Sequence, residues 1–89
     1  MPVYIVAFEP SEPTRDYDEF HSALGDYSGQ QLLDRVYLVE APTDADTLRR
    51  HLSALASHED RLWISRVTED HSGFVMEPAA EWLDQRKPL

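Results

Sequence analysis

Val3 to Phe8 reads Val-Tyr-Ile-Val-Ala-Phe, with no charged residue anywhere in the run. A strand built from it carries apolar side chains on both faces, because successive residues point to opposite sides. Such a strand is poorly placed at a surface. It predicts a central position in a sheet, covered on both sides, or by helices on one side and a partner on the other. Glu9-Pro10 ends the run, and Pro10 and Pro13 predict an irregular loop after it.

The rest of the chain supplies elements that could flank this strand. A first helix is expected from Thr14 or Asp16. Asp16 and Glu19 have capping-box spacing, Tyr17, Phe20 and Leu24 form one apolar stripe, and Gly25 suits a left-handed C-terminal cap. Tyr27 to Glu40 reads as two strands around an Asp34-Arg35 turn, with Val36-Tyr37-Leu38-Val39 the stronger of them. Thr43 is placed to cap a second helix, with Ala45, Leu48, Leu52, Leu55 and Ala56 on its buried side and an end near Ser57. Arg61 to Thr68 predicts a strand with Leu62 and Ile64 on one face and Trp63, Ser65 and Val67 on the other. Phe74-Val75-Met76 predicts a short edge strand, and Pro78 opens a last helix, Ala79 to about Gln85. The order βαββαβ, with a short strand and helix as a tail, is that of a single ferredoxin-like α+β domain over residues 1–89.

Composition narrows the partners. The chain has 8 Lys+Arg against 17 Asp+Glu, a formal charge of −9. Affinity for nucleic acid comes largely from cationic contacts with phosphates, so a general nucleic-acid binder is disfavoured. Without cysteine there is no disulfide frame, thiolate metal site or thiol nucleophile. The apolar N-terminus is too short for a signal segment and lacks a basic flank, and no apolar stretch is long enough to span a membrane. A cytoplasmic protein with no membrane attachment is expected.

Few side chains point to chemistry. His51 and His58 lie too far apart along a helix to grip one metal; His58 suits a helix C-terminus, His21 a helix surface and His71 a turn. Arg49, Arg50 and Arg66, with Arg61, concentrate the positive charge and would form a phosphate-binding strip if folding brings them together. The alternative is pairing with nearby acids, such as Asp46 four residues before Arg50. Trp82 with Leu83 is expected to dock the tail helix, on its own sheet or on a second subunit.

Val3 to Glu9, Val36 to Glu40, Arg61-Leu62-Trp63 and Glu81-Trp82-Leu83 together resemble the small bacterial proteins of the SinR family. These are similar to the CRISPR-associated protein Cas-two and to virulence-associated protein D. The resemblance implies a homodimer whose sheets meet face to face or edge to edge, with Phe74, Val75 and Met76 crossing to the partner. It also places Glu9 where such relatives carry an Asp at the end of the first strand. There a carboxylate from each subunit is proposed to bind a divalent metal, Mg²⁺, for phosphodiester cleavage. Glu9 is one methylene longer than that Asp, and Pro10 stiffens the loop behind it.

Two functional readings follow. One is a small acidic dimeric module that binds a protein partner without catalysis, using Phe74, Val75, Met76 and Trp82 at an interface. The other is a metal-dependent endoribonuclease with Glu9 as metal ligand and catalytic residue.

Overall fold

The computed structural model describes residues 1–12 and 14–89. Pro13, expected in the irregular loop after the first strand, lies outside the described residues.

β1 (Val3–Glu9), β2 (Gly29–Leu33), β3 (Val36–Glu40) and β4 (Arg61–Val67) form one antiparallel sheet in the order β2-β3-β1-β4. α1 (Asp18–Asp26) connects β1 to β2, and α2 (Ala45–Ser53) connects β3 to β4. α3 (Glu77–Arg86) ends the chain's regular structure. The apolar run at the start therefore takes an inner position, as its two-sided hydrophobicity requires. No helix among the described residues is long and apolar enough to cross a membrane.

Strand alternation divides β1 between two unequal cores. Tyr4, Val6 and Phe8 point to one face, where they meet Phe20, Ala23 and Leu24 of α1 and Leu48 and Leu52 of α2. Phe8 stacks on Phe20 with ring centroids 4.2 Å apart and meets Tyr17 edge-on at 5.2 Å. Leu62 and Ile64 of β4 lean on this core, as their alternation predicts. The opposite face holds a much smaller buried set, Val3, Leu38 and Val67, against which Ile5, Leu32, Trp82 and Leu83 pack. Trp82 thus docks α3 on its own sheet. Arg86 lies over the Trp82 ring at 3.8 Å, donates to the Trp82 carbonyl at 3.1 Å and sits 3.7 Å from the Glu40 carboxylate. That arrangement clips the end of α3 to β3.

Several local expectations shift. Asp44, not Thr43, caps α2: its side chain accepts from the Thr47 amide at 2.7 Å, which holds the carboxyl below its ordinary range. The Thr43 carbonyl instead receives the Tyr4 hydroxyl. α1 starts at Asp18, and the Asp16 carboxylate accepts the Asp18 amide two residues on rather than forming a capping box. Gly25 stays within the helix, and the left-handed residue that turns the chain into β2 is Ser28, at φ 60°. Gly29 is the glycine that close packing requires, since a Cβ there would lie 2.8 Å from the Leu24 carbonyl oxygen. α2 ends at Ser53, earlier than expected, and Leu55 and Ala56 pack on the core from the turns after it.

The expected edge strand Phe74-Val75-Met76 does not form; residues 68–76 carry no strand. Met76 has φ −59° and ψ 145°, the polyproline-type backbone that leads into Pro78 and the first turn of α3. The β-propensity of three residues does not outweigh a helix start immediately behind them.

Candidate functional site

Register places four residues in one line across the sheet. Leu33 of β2 is opposite Val36 of β3, Val36 is opposite Ala7 of β1, and Ala7 is opposite Trp63 of β4. Directly opposed residues in antiparallel strands share a face, so Val36, Ala7 and Trp63 lie on the α3 side of the sheet, and Leu33 extends their line beyond an irregularity in β2 between Gln31 and Leu33. α3 stops short of this row. Trp63 is 70% exposed and Leu33 53%, whereas the parallel row nearer α3 contains the buried Leu38. An uncovered indole beside an aliphatic row departs from the usual economy of a small domain, in which large apolar groups are shielded.

Charge borders this row. The next pair on the same face along β1 and β4 is Glu9 opposite Arg61, and Arg35 follows from the β2–β3 turn. A shallow depression of about 460 Å³ runs between them, lined by Ala7, Glu9, Val36, Arg61 and Trp63. Among the described residues the ion pairs are Asp46 with Arg49 and Arg50, and Glu40 with Arg86, so Glu9 and Arg61 hold no ion-pair partner.

Glu9 stands at the exposed end of β1, as expected. Its register neighbour is a cation, and among the described residues no three His, Asp, Glu or Cys side chains gather closely enough to hold a metal ion. A hard cation such as Mg²⁺ wants several oxygen donors, so the donor set around Glu9 in one chain does not fit it.

The arginines do not converge into a free strip. Arg49 and Arg50 both close on Asp46, at 2.9 and 3.3 Å, while Arg66 projects from β4. Phe74 and Met76 are exposed, alongside the β2 edge that carries Leu33. Trp82, by contrast, is engaged on the molecule's own sheet.

Asp60 is a residue that spacing alone did not single out. One carboxylate oxygen accepts from the Ser11 amide (2.7 Å), the Ser11 hydroxyl (2.8 Å) and the Tyr17 hydroxyl (2.9 Å), and the other accepts from the Ser57 amide (2.7 Å). Burial pushes this carboxyl up, but the donors from Ser11, Ser57 and Tyr17 outweigh it and hold Asp60 down at about 2. Asp60 ties the β1–α1 loop to the entrance of β4 and so fixes Glu9 and Arg61 relative to each other. The only hint in the sequence is an acid just ahead of a strand.

His51 contacts the Tyr27 hydroxyl through Nδ1, His21 packs against the rings of Phe20 and Tyr37, and His71 Nδ1 lies 2.6 Å from the Thr68 carbonyl. Each of these three histidines has a partner within the chain. Comparison of the chain with models of protein families, with curated proteins and with solved structures finds no match.

Proposed function

We propose that this protein is a non-catalytic dimeric module in which two copies pack sheet against sheet through the open row, forming the unit that binds a further protein. The observation that carries the reading is the row itself: Leu33, Val36, Ala7 and Trp63 lie in line and in part uncovered on the face that α3 only partly covers. Burying an indole and its aliphatic neighbours removes apolar surface from water at about 25 cal/mol per Å². The border adds direction. Glu9 and Arg61 are adjacent and unpaired, so a two-fold axis parallel to the strands, between β1 and β4, sets each Glu9 against the other copy's Arg61. A self-complementary pattern of this kind is what an isologous interface requires.

The finer fold assignment belongs to the same reading. The interleaved order β2-β3-β1-β4, with a helix between β1 and β2 and another between β3 and β4, supports a ferredoxin-like arrangement. It also supports the resemblance to the SinR, Cas-two and virulence-associated protein D group. The acidic surface, at a net charge of −9, favours a basic protein partner over nucleic acid. A cytoplasmic location is part of this proposal, on the absence of cysteine.

The test is a charge swap read by light scattering. Glu9→Arg and Arg61→Glu each place like charges across the two-fold and weaken the dimer; combining them restores it. Single variants that dimerise as well as the wild type would remove the proposed geometry. Phe74, Val75 and Met76 flank the row beside Leu33 and would extend the interface without a crossing strand.

A second reading, a metal-dependent endoribonuclease, draws on one observation: Glu9 borders the proposed two-fold surface, so a shifted axis would bring the two copies' Glu9 carboxylates together. RNA cleavage lost on chelation and in Glu9→Ala supports it; cleavage indifferent to Glu9→Ala rules it out.

A further inference from the structure

Between the sheet, the irregular segment 68–76 and α3 lies a cavity of about 390 Å³, separate from the open row. Its floor is the small second core, with Ile5, Leu38 and Val67 below and Leu83 of α3 at the side. The space is half open to solvent, and Ser72, Gly73, Ala80 and Asp84 along it are exposed. A space of this volume falls in the range of small-molecule sites, which are apolar in body with a few polar groups at the mouth.

The mouth has a definite chemistry. His71 and Asp84 line it from opposite elements, the irregular segment and α3. His71 Nδ1 lies 2.6 Å from the Thr68 carbonyl, and a carbonyl oxygen only accepts, so Nδ1 carries the proton. Asp84 forms no ion pair among the described residues and offers a carboxylate. The Asp84 carboxylate above an apolar floor, with the His71 ring and the Ser72 hydroxyl beside it, matches a ligand with an apolar body and a cationic, hydrogen-donating head. The protein's net charge of −9 favours the same sign.

We infer that this cavity is a binding site for a small organic amine, its alkyl or aryl portion against Ile5, Leu38, Val67 and Leu83 and its ammonium group at Asp84 and His71. A neutral alcohol of the same length fills the floor but loses the charge-assisted bond, and a carboxylate meets Asp84 with like charge.

The inference is tested by titrating the full-length protein with octylammonium, octanol and octanoate, each below its aggregation limit, by calorimetry and by two-dimensional NMR. Octylammonium is expected to bind roughly tenfold more tightly than octanol, with octanoate weakest. Its shifts should centre on Leu38, Val67 and Ala80. Asp84→Asn is expected to bring octylammonium down to the level of octanol while octanol is unchanged. Asp26→Asn, the same charge change on α1 across the sheet, should leave the preference intact. Ala80→Trp fills the mouth and is expected to abolish binding of all three. Equal affinity for the three head groups, or an ammonium preference that survives Asp84→Asn, would overturn the assignment. Should Ala80→Trp fail to fold, the two asparagine variants alone decide it.

Discussion

α1 and α2 close one face of the sheet with Phe20, Leu24, Leu48 and Leu52, which interlock with Tyr4, Val6 and Phe8. α3 alone attends to the other face, reaching Val3, Leu38 and Val67 and leaving Leu33 and Trp63 to solvent. The same central strand serves both. Its inner residues facing the paired helices are almost fully buried, while Ile5 and Ala7 on the opposite side are only half-buried. On the reading proposed above, the difference separates two uses of apolar surface: one face stabilises the chain, and the other would keep surface in reserve for binding. A domain of this length buries a modest share of its surface, so leaving a tryptophan and its row open has a cost that association would recover.

Substitutions on the two faces should differ in size. Phe20→Ala on the closed face removes a fully buried ring stacked on Phe8 and is expected to cost about 3–5 kcal/mol in urea unfolding. Leu38→Ala is the counterpart on the α3 face. Its side chain is equally buried, but it borders an existing cavity, and the expected cost is about 2–3 kcal/mol. A larger cost for Leu38→Ala than for Phe20→Ala would break the distinction between a stabilising face and a binding face.

Asp60 bears on the α3 face from a distance, because its bonds lock the loops at the end of the sheet where the open row lies. Asp60→Asn leaves a nitrogen where one oxygen accepted, and after allowance for partial solvent exposure about 1–2 kcal/mol should be lost. The pH dependence has a definite sign. The folded carboxyl titrates at about 2, below its ordinary 3.8. Its contribution is therefore complete above about pH 4 and is lost as pH falls through about 2. The stability gap between wild type and Asp60→Asn, followed by chemical unfolding across that window, should close as the solution is acidified; a constant gap would show that Asp60 acts through packing. The smallest effect is expected at Asp46, whose pairs with Arg49 and Arg50 are exposed. Asp46→Asn should change stability by less than about 0.5 kcal/mol.

Much of the scaffold was legible in the sequence because it is written in local periodicity. The two-sided run of β1, the alternation of β4, the apolar stripes of α1 and α2 and Pro78 at the start of α3 are each visible within a few residues. What escaped depends on competition between close alternatives or on long-range register. Thr43 and Asp44 are both good caps; Asp44 takes the role, while the Thr43 carbonyl accepts the Tyr4 hydroxyl from β1. Phe74-Val75-Met76 has strand composition, yet the helix behind it governs its backbone. The open row was hidden altogether. Its members come from four different strands, and their alignment exists only once β1 has paired with both β3 and β4 and β3 with β2. Arg86 was missed for a similar reason: its stacking on Trp82 is local, but its approach to Glu40 spans the domain.

If the open row is a surface for a second copy of the chain, as proposed, Trp63 is its most exposed member. The most direct test is the solution mass of the wild type and of Trp63→Glu, by light scattering over a wide concentration range. A wild-type dimer that becomes monomeric in Trp63→Glu, with the circular dichroism of the fold unchanged, is the expected result. A wild type that stays monomeric at every concentration, or a Trp63→Glu variant that dimerises undiminished, would contradict it.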